Sequence, residues 1–234
     1  MKRQIRRGVF ESNSSSQHSL AIMKINEKYT LDEISNEIYL SKDGVWNIWD
    51  CSMEFGRSPF KVLGTFAQKW KYACASLVFE YNDEIYVELE EIAFKYIPGL
   101  KKIKLPTITE SIPNKDCEEN KDSDFCETYG MTEDELNDFL SKKEKKWGLE
   151  DGEVDYWLDS EHKNWRYEKP YTGYVDENIL GRFLKKENIS LEEFLINKKY
   201  VVICDGDEYC VYDDMKKAGL INTEMIDYEF PEYS

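Results

Sequence analysis

A chain of 234 residues with 41% hydrophobic content is long enough for one large domain or two modest ones, and it can bury a core without disulfides or metals. Its 47 acidic against 31 basic residues give a formal charge of −16, which argues against non-specific nucleic-acid binding, because phosphates would be repelled over most of the surface. No run approaches the roughly 18–20 apolar residues of a bilayer span, and residues 1–7 lead into Glu11, Asn13 and serines rather than an apolar signal core, so the expectation is a cytoplasmic protein with no membrane contact.

Residues 5–10, partly apolar, read as a first strand entering a polar loop over 11–17, and the run 20–25 reads as its return, which makes an N-terminal hairpin-like unit. Thr30 and Glu33 have capping-box spacing, with Leu31, Ile34 and Ile38 on one face behind them, and predict a helix over 31–40. Ser58-Pro59 is an N-cap followed by proline at the first helical position. Val62, Leu63, Phe66, Trp70, Cys74 and Leu77 then recur at helical steps. A further helix is predicted over 84–96, stopped by Pro98-Gly99. Residues 101–109 alternate weakly and contain Pro106, which confines any strand there to an edge.

Residues 111–128 are poor in large apolar side chains and read as a linker or long loop between an N-terminal region, 1–110, and a C-terminal region, 129–234, unless both form one compact domain. Thr132 with Glu135 and Ser190 with Glu193 mark two more helix starts. The β-branched run 200–204, the turn Asp205-Gly206-Asp207-Glu208 and the alternating 209–212 predict a C-terminal hairpin. Helices and short antiparallel strands thus interleave without a regular strand-helix-strand rhythm, and the fold class is α+β.

The concentrated chemical signal lies between Arg6 and Ser19. Arg6 and Arg7 precede Glu11, Asn13, a group of serines (Ser12, Ser14, Ser15, Ser16, Ser19) and His18. A serine-rich turn presents backbone amides and hydroxyls to an anion, an arginine grips phosphate in a bidentate way, and His18 moves protons near neutral pH. Such a run is either a flexible hydrophilic loop or the makings of a nucleotide or phosphate site. In the second case Arg6 or Arg7, Asn13, Ser14, Ser15 and Ser16 bind the ligand while Glu11 and His18 handle protons. Strand alternation lets only one of the two arginines share the site's surface. No Walker or Rossmann glycine pattern accompanies it, and no cofactor is named by the sequence.

Phe10, Glu11, Ser12, Asn13, Ser14, Ser15, Ser16, His18 and Ser19 spell Phe-Glu-(Thr/Ser)-Asn-Ser-Ser-Ser-x-His-Ser. With the arginine-containing strand before it, this opening resembles that of a family of uncharacterised proteins from phages and low-GC Gram-positive bacteria. The resemblance covers about a tenth of the chain. It implies a phage or mobile-element setting and a shared role for the segment, but no reaction.

Two other features compete. Asp155, Asp159 and His162 would share a face if their segment were helical, and could then hold a divalent cation, although acidic clusters of this kind are more often solvated surface. The six cysteines are irregularly spaced free thiols, and with only His18 and His162 available no metal site is assigned. The other feature is the tryptophans, Trp46, Trp49, Trp70, Trp147, Trp157 and Trp165, which join 16 tyrosines and 11 phenylalanines, many in acidic surroundings. Most should be core, yet acidic-aromatic surfaces can also occupy a basic, nucleic-acid-binding groove. The sequence therefore supports a phosphate-ligand-binding phage or mobile-element protein, with an acidic anti-defence inhibitor of a basic host protein as the alternative.

Overall fold

The computed structural model describes residues 17–23, 25–49, 52–53, 55, 61–78, 83–173, 175 and 179–205. Their elements in chain order begin with β1 (Gln17–Ile22), α1 (Leu31–Glu37), β2 (Val45–Asn47), β3 (Lys61–Leu63) and α2 (Phe66–Leu77). Next come α3 (Asp83–Tyr96), β4 (Lys102–Lys104), β5 (Thr107–Pro113), α4 (Asp124–Tyr129) and α5 (Glu133–Lys146). The last are β6 (Tyr156–Asp159), β7 (Asn164–Pro170), α6 (Ile179–Glu187), α7 (Leu191–Ile196) and β8 (Tyr200–Asp205). This is a mixed α+β fold with short strands in small sheets. The chain divides into two compact units, one of residues 1–104 and 172–234, the other of residues 105–171.

In the first unit β8 is the central strand, antiparallel to β1 on one side and to β3 on the other. β8 owes this place to its β-branched run, buried from Tyr200 to Cys204 as a strand with neighbours on both sides requires. The strand expected at 20–25 starts at Gln17 and pairs with β8. Its expected hairpin partner, residues 5–10, lies outside the described residues, as do the turn 206–208 and the strand 209–212 expected to follow β8.

The helices mostly follow their caps. Thr30 and Glu33 form the reciprocal box that starts α1. α2 departs from expectation: Ser58 and Pro59 lie outside the described residues, Val62 and Leu63 belong to β3, and the helix begins at Phe66. Thr65 caps it, and the Gln68 side chain accepts from the amides of Gly64 and Thr65, so the box that decides the start lies just beyond the strand. α3 runs close to the predicted span and is closed after Ile97 by the Leu100 amide and by Gly99 at φ +79°. Trp70 is wholly buried, donates its indole N–H to Leu89 O at 2.8 Å and lies against Trp46 at 5.0 Å. Phe183, Phe194 and Tyr200 pack edge-on or tilted into the same unit's core. β2 and β4 pair in parallel, and Gly44 makes the approach possible: at φ +80° a Cβ there would sit 2.5 Å from Gly99 O.

The second unit is an antiparallel sheet in the order β5-β7-β6, with α5 against one face. Leu136 and Leu140 of α5 meet Trp165 and Tyr167 of β7 and Val154, with Ile112, Phe139 and Trp147 at the margin. The buried Glu144 carboxylate accepts from the amides of Gly152 and Val154, so its charge is spent on a loop that would otherwise bury unpaired donors. The stretch 111–128, expected as a linker, lies inside this unit. It is ordered by hydrogen bonding rather than apolar content: Ser111, Ile112 and Pro113 continue the ladder with β7, Asn114 bridges Met131, the Asn120 side chain donates to Lys163 O, and the Ser123 side chain caps α4. Pro106 falls between β4 and β5, where it interrupts no ladder, and β5 is an edge strand of its sheet.

Candidate functional site

Arg6, Arg7, Glu11, Asn13, Ser14, Ser15 and Ser16 lie outside the described residues. Of the proposed site only the exit is seen. His18 belongs to β1 rather than to the loop before it, in register with Cys204, while Gln17 faces Asp205 and Ser19 faces Ile203. The polar run therefore delivers its C-terminal end directly onto the central strand of a three-stranded sheet.

Asp155, Asp159 and His162 are not on a helix. Asp159 ends β6, and residues 160–163 form the turn into β7. The Asp159 carboxylate accepts from the Glu161 and His162 amides, pairs with His162 Nδ1 at 2.8 Å and takes two contacts from Arg166, at 3.2 Å from Nε and 3.0 Å from Nη2. The His162 hydrogen bond, joined by those from the Glu161 amide and Arg166, holds the carboxyl well below the usual range. Its oxygens are thus occupied by turn and cross-strand donors. Alternation over so short a segment could have been read as a hairpin, but the acidic spacing suited a helix face equally well. Among the described residues no group of three or more His, Cys, Asp or Glu side chains is placed to hold a metal ion. Cys74, Cys117, Cys126 and Cys204 form no disulfide, whereas Cys51 and Cys210 lie outside the described residues.

The tryptophans divide as burial predicts for large aromatics, with Trp46, Trp70 and Trp165 in the cores and Trp49 (71%) and Trp157 (44%) exposed.

The most unusual ionisable group was not anticipated. Lys69 is fully buried in α2, at the step from Phe66 to Ala73 that defines the apolar stripe. That placement was the available signal. Its Nζ donates to Phe194 O at 2.7 Å and Asn197 O at 2.8 Å, the carbonyls at the end of α7, and lies 5.1 Å from the Tyr29 ring and 5.3 Å from the Phe194 ring. Burial pushes its pKa from 10.5 down to about 7, against the pull of Glu37 and Glu193.

Around it the chain is clamped. The Tyr29 hydroxyl donates to Gly64 O, the Tyr29 amide donates to Ile196 O at 2.9 Å, and Lys198 reaches Glu33 at 2.6 Å. Burial pushes the Tyr29 phenol far up, so it stays protonated. Glu193 pairs with Lys28 at 2.7 Å and with the Asn197 amide group at 2.9 Å. Lys69 titrates in the range useful to a general base, but its amine is enclosed and committed to two carbonyls. Its chemistry is that of a hydrogen-bonding cap on a short helix that feeds β8.

No family model, curated protein or solved structure matches the chain.

Proposed function

We propose that the run from Arg6 to Ser19 binds a nucleotide or other phosphate-bearing ligand, in a cytoplasmic protein of phage or mobile-element origin. In this reading Asn13, Ser14, Ser15 and Ser16, with one of Arg6 and Arg7, hold the anion, and Glu11 and His18 manage protons. The observation that supports it is the docking of β1 along β8. A binding segment anchored to a sheet at one end loses less freedom on taking a ligand than one on a free tail. The reading assigns a ligand class and no reaction.

A thermal-shift series with nucleotides, inorganic phosphate and divalent metals tests it. A ligand that raises the melting temperature of the wild type but not of Ser15→Ala or Glu11→Ala is the expected result. His18→Ala belongs in the series, although its place in β1 makes a general loss of stability the competing outcome, which its unliganded melting temperature reports. Absence of any shift with every phosphate compound refutes the reading.

A second reading is supported by a different observation. Tyr39 (89% exposed), Trp49 (71%), Phe125 (59%) and Tyr129 (61%) stand in solvent on a chain of net charge −16. Aromatic anchors in an acidic field suit a protein that occupies the basic, nucleic-acid-binding surface of a host protein.

A further inference from the structure

Single exposed apolar side chains are ordinary on protein surfaces, and most of those here are single. Trp157 and Leu158 are consecutive on β6 and so leave opposite faces of the strand. Val87 and Phe94 stand about two turns apart on α3. Phe125 and Tyr129 differ. Their rings lie 5.3 Å apart, tilted at 47°, at positions i and i+4 of α4 while Cys126 turns inward. Of the ring pairs among the described residues, theirs is the one in which both members are exposed.

The chain leading into and through α4 is charged and mostly acidic. Between Asp116 and Glu127 the chain places Asp116, Glu118, Glu119, Asp122, Asp124 and Glu127 in solvent, with Lys121 as the opposing charge. An aromatic face attracts a guanidinium or ammonium through its quadrupole, and carboxylates around it add a field of the same preference. A phosphate chain would be repelled, and so would a second copy of a chain carrying −16.

We propose that the Phe125–Tyr129 pair is the docking point for a basic segment of a partner protein, an arginine side chain lying against the rings while the carboxylates receive its cationic neighbours. Arginine is favoured over lysine because its planar group stacks on a ring and still donates at its edge. The inference rests on the acidic-surface reading and gives that reading a place on the fold.

The test uses the full chain and fluorescein-labelled peptides of equal length, one rich in Arg and Gly, one with Lys replacing Arg, and one acidic, with binding followed by polarisation at about 50 and 300 mM salt. The wild type is expected to bind the arginine peptide more tightly than the lysine peptide and to ignore the acidic one. Phe125→Ala/Tyr129→Ala, which leaves the net charge unchanged, is expected to weaken arginine-peptide binding about tenfold and to erase the preference over lysine. Phe125→Leu/Tyr129→Leu keeps an apolar surface on α4 without a π face and should lose the preference equally. Equal binding by the wild type and both double variants would overturn the assignment to α4 while leaving the acidic-surface reading intact. No binding of any basic peptide at the lower salt would overturn that reading and the docking point together.

Discussion

Replacing Lys69 with methionine gives a stability change whose size depends on pH, and the structure supplies both opposing contributions. Methionine fills similar space but leaves Phe194 O and Asn197 O without their Nζ donor. Asn197 O keeps the Tyr200 amide at 3.3 Å, but Phe194 O is orphaned, and one unsatisfied buried acceptor costs about 1–3 kcal/mol. Against this, the wild type keeps an amine whose pKa falls from 10.5 to about 7 on folding. Between those two values the unfolded chain holds a proton that the folded chain has released, so wild-type stability rises with pH across that window and is lowest below it. At about 1.4 kcal/mol per pH unit once the folded amine is deprotonated, and half that slope at pH 7, the advantage of wild type over Lys69→Met should grow by roughly 2 kcal/mol between pH 7 and pH 9. Urea titrations of both proteins at pH 6, 7.5 and 9 measure it, and titrations common to both chains cancel in the difference. A difference that stays flat across that range would refute the reasoning. It would mean that the two carbonyls, the two rings, Glu37 and Glu193 hold Lys69 charged in spite of its burial.

Other expectations are simpler. Gly44→Ala forces a Cβ to within 2.5 Å of Gly99 O at a positive φ, and should destabilise by about 2 kcal/mol or more, seen as a lower denaturation midpoint. Glu144→Ala strips the Gly152 and Val154 amides of their acceptor and should cost about 2–4 kcal/mol, with hydrogen exchange accelerated at those two amides. Thr132→Ala breaks a reciprocal capping box at the start of α5 and should cost about 1 kcal/mol in the same assay. Asp159, held below the usual range by His162 and its other donors, contributes stability that is present above its unfolded pKa and is lost as pH falls through its folded one. A carboxyl-carbon NMR titration should find it still ionised where exposed carboxyls have protonated.

Local signals carried a good part of this fold because their physics is local. The boxes at Thr30 and Thr132 and the stop at Pro98-Gly99 depend on amides within one turn, so reading the residues was enough. The second start shows the limit: Val62 and Leu63 fit the helical period of α2, but pairing with Ile203 and Val202 of β8 made them a strand. In the 111–128 stretch, residues 111–113 are ordered by a ladder with β7, more than fifty residues away in sequence, and beyond them Asn114, Asn120 and Ser123 hold the turns and start α4 with their side chains.

The same division holds for the candidate site. The sequence alone determined that hydroxyl, guanidinium and imidazole groups are concentrated from Arg6 to Ser19, because side-chain chemistry is fixed by residue type wherever the residue sits. Only the tertiary structure decided that His18 is paired along β8, that the Asp159 carboxylate serves a turn, and that Lys69 is enclosed by the end of a helix more than a hundred residues later. Charge and hydrogen-bonding capacity are properties of a side chain, whereas burial and partnership are properties of what the fold brings against it.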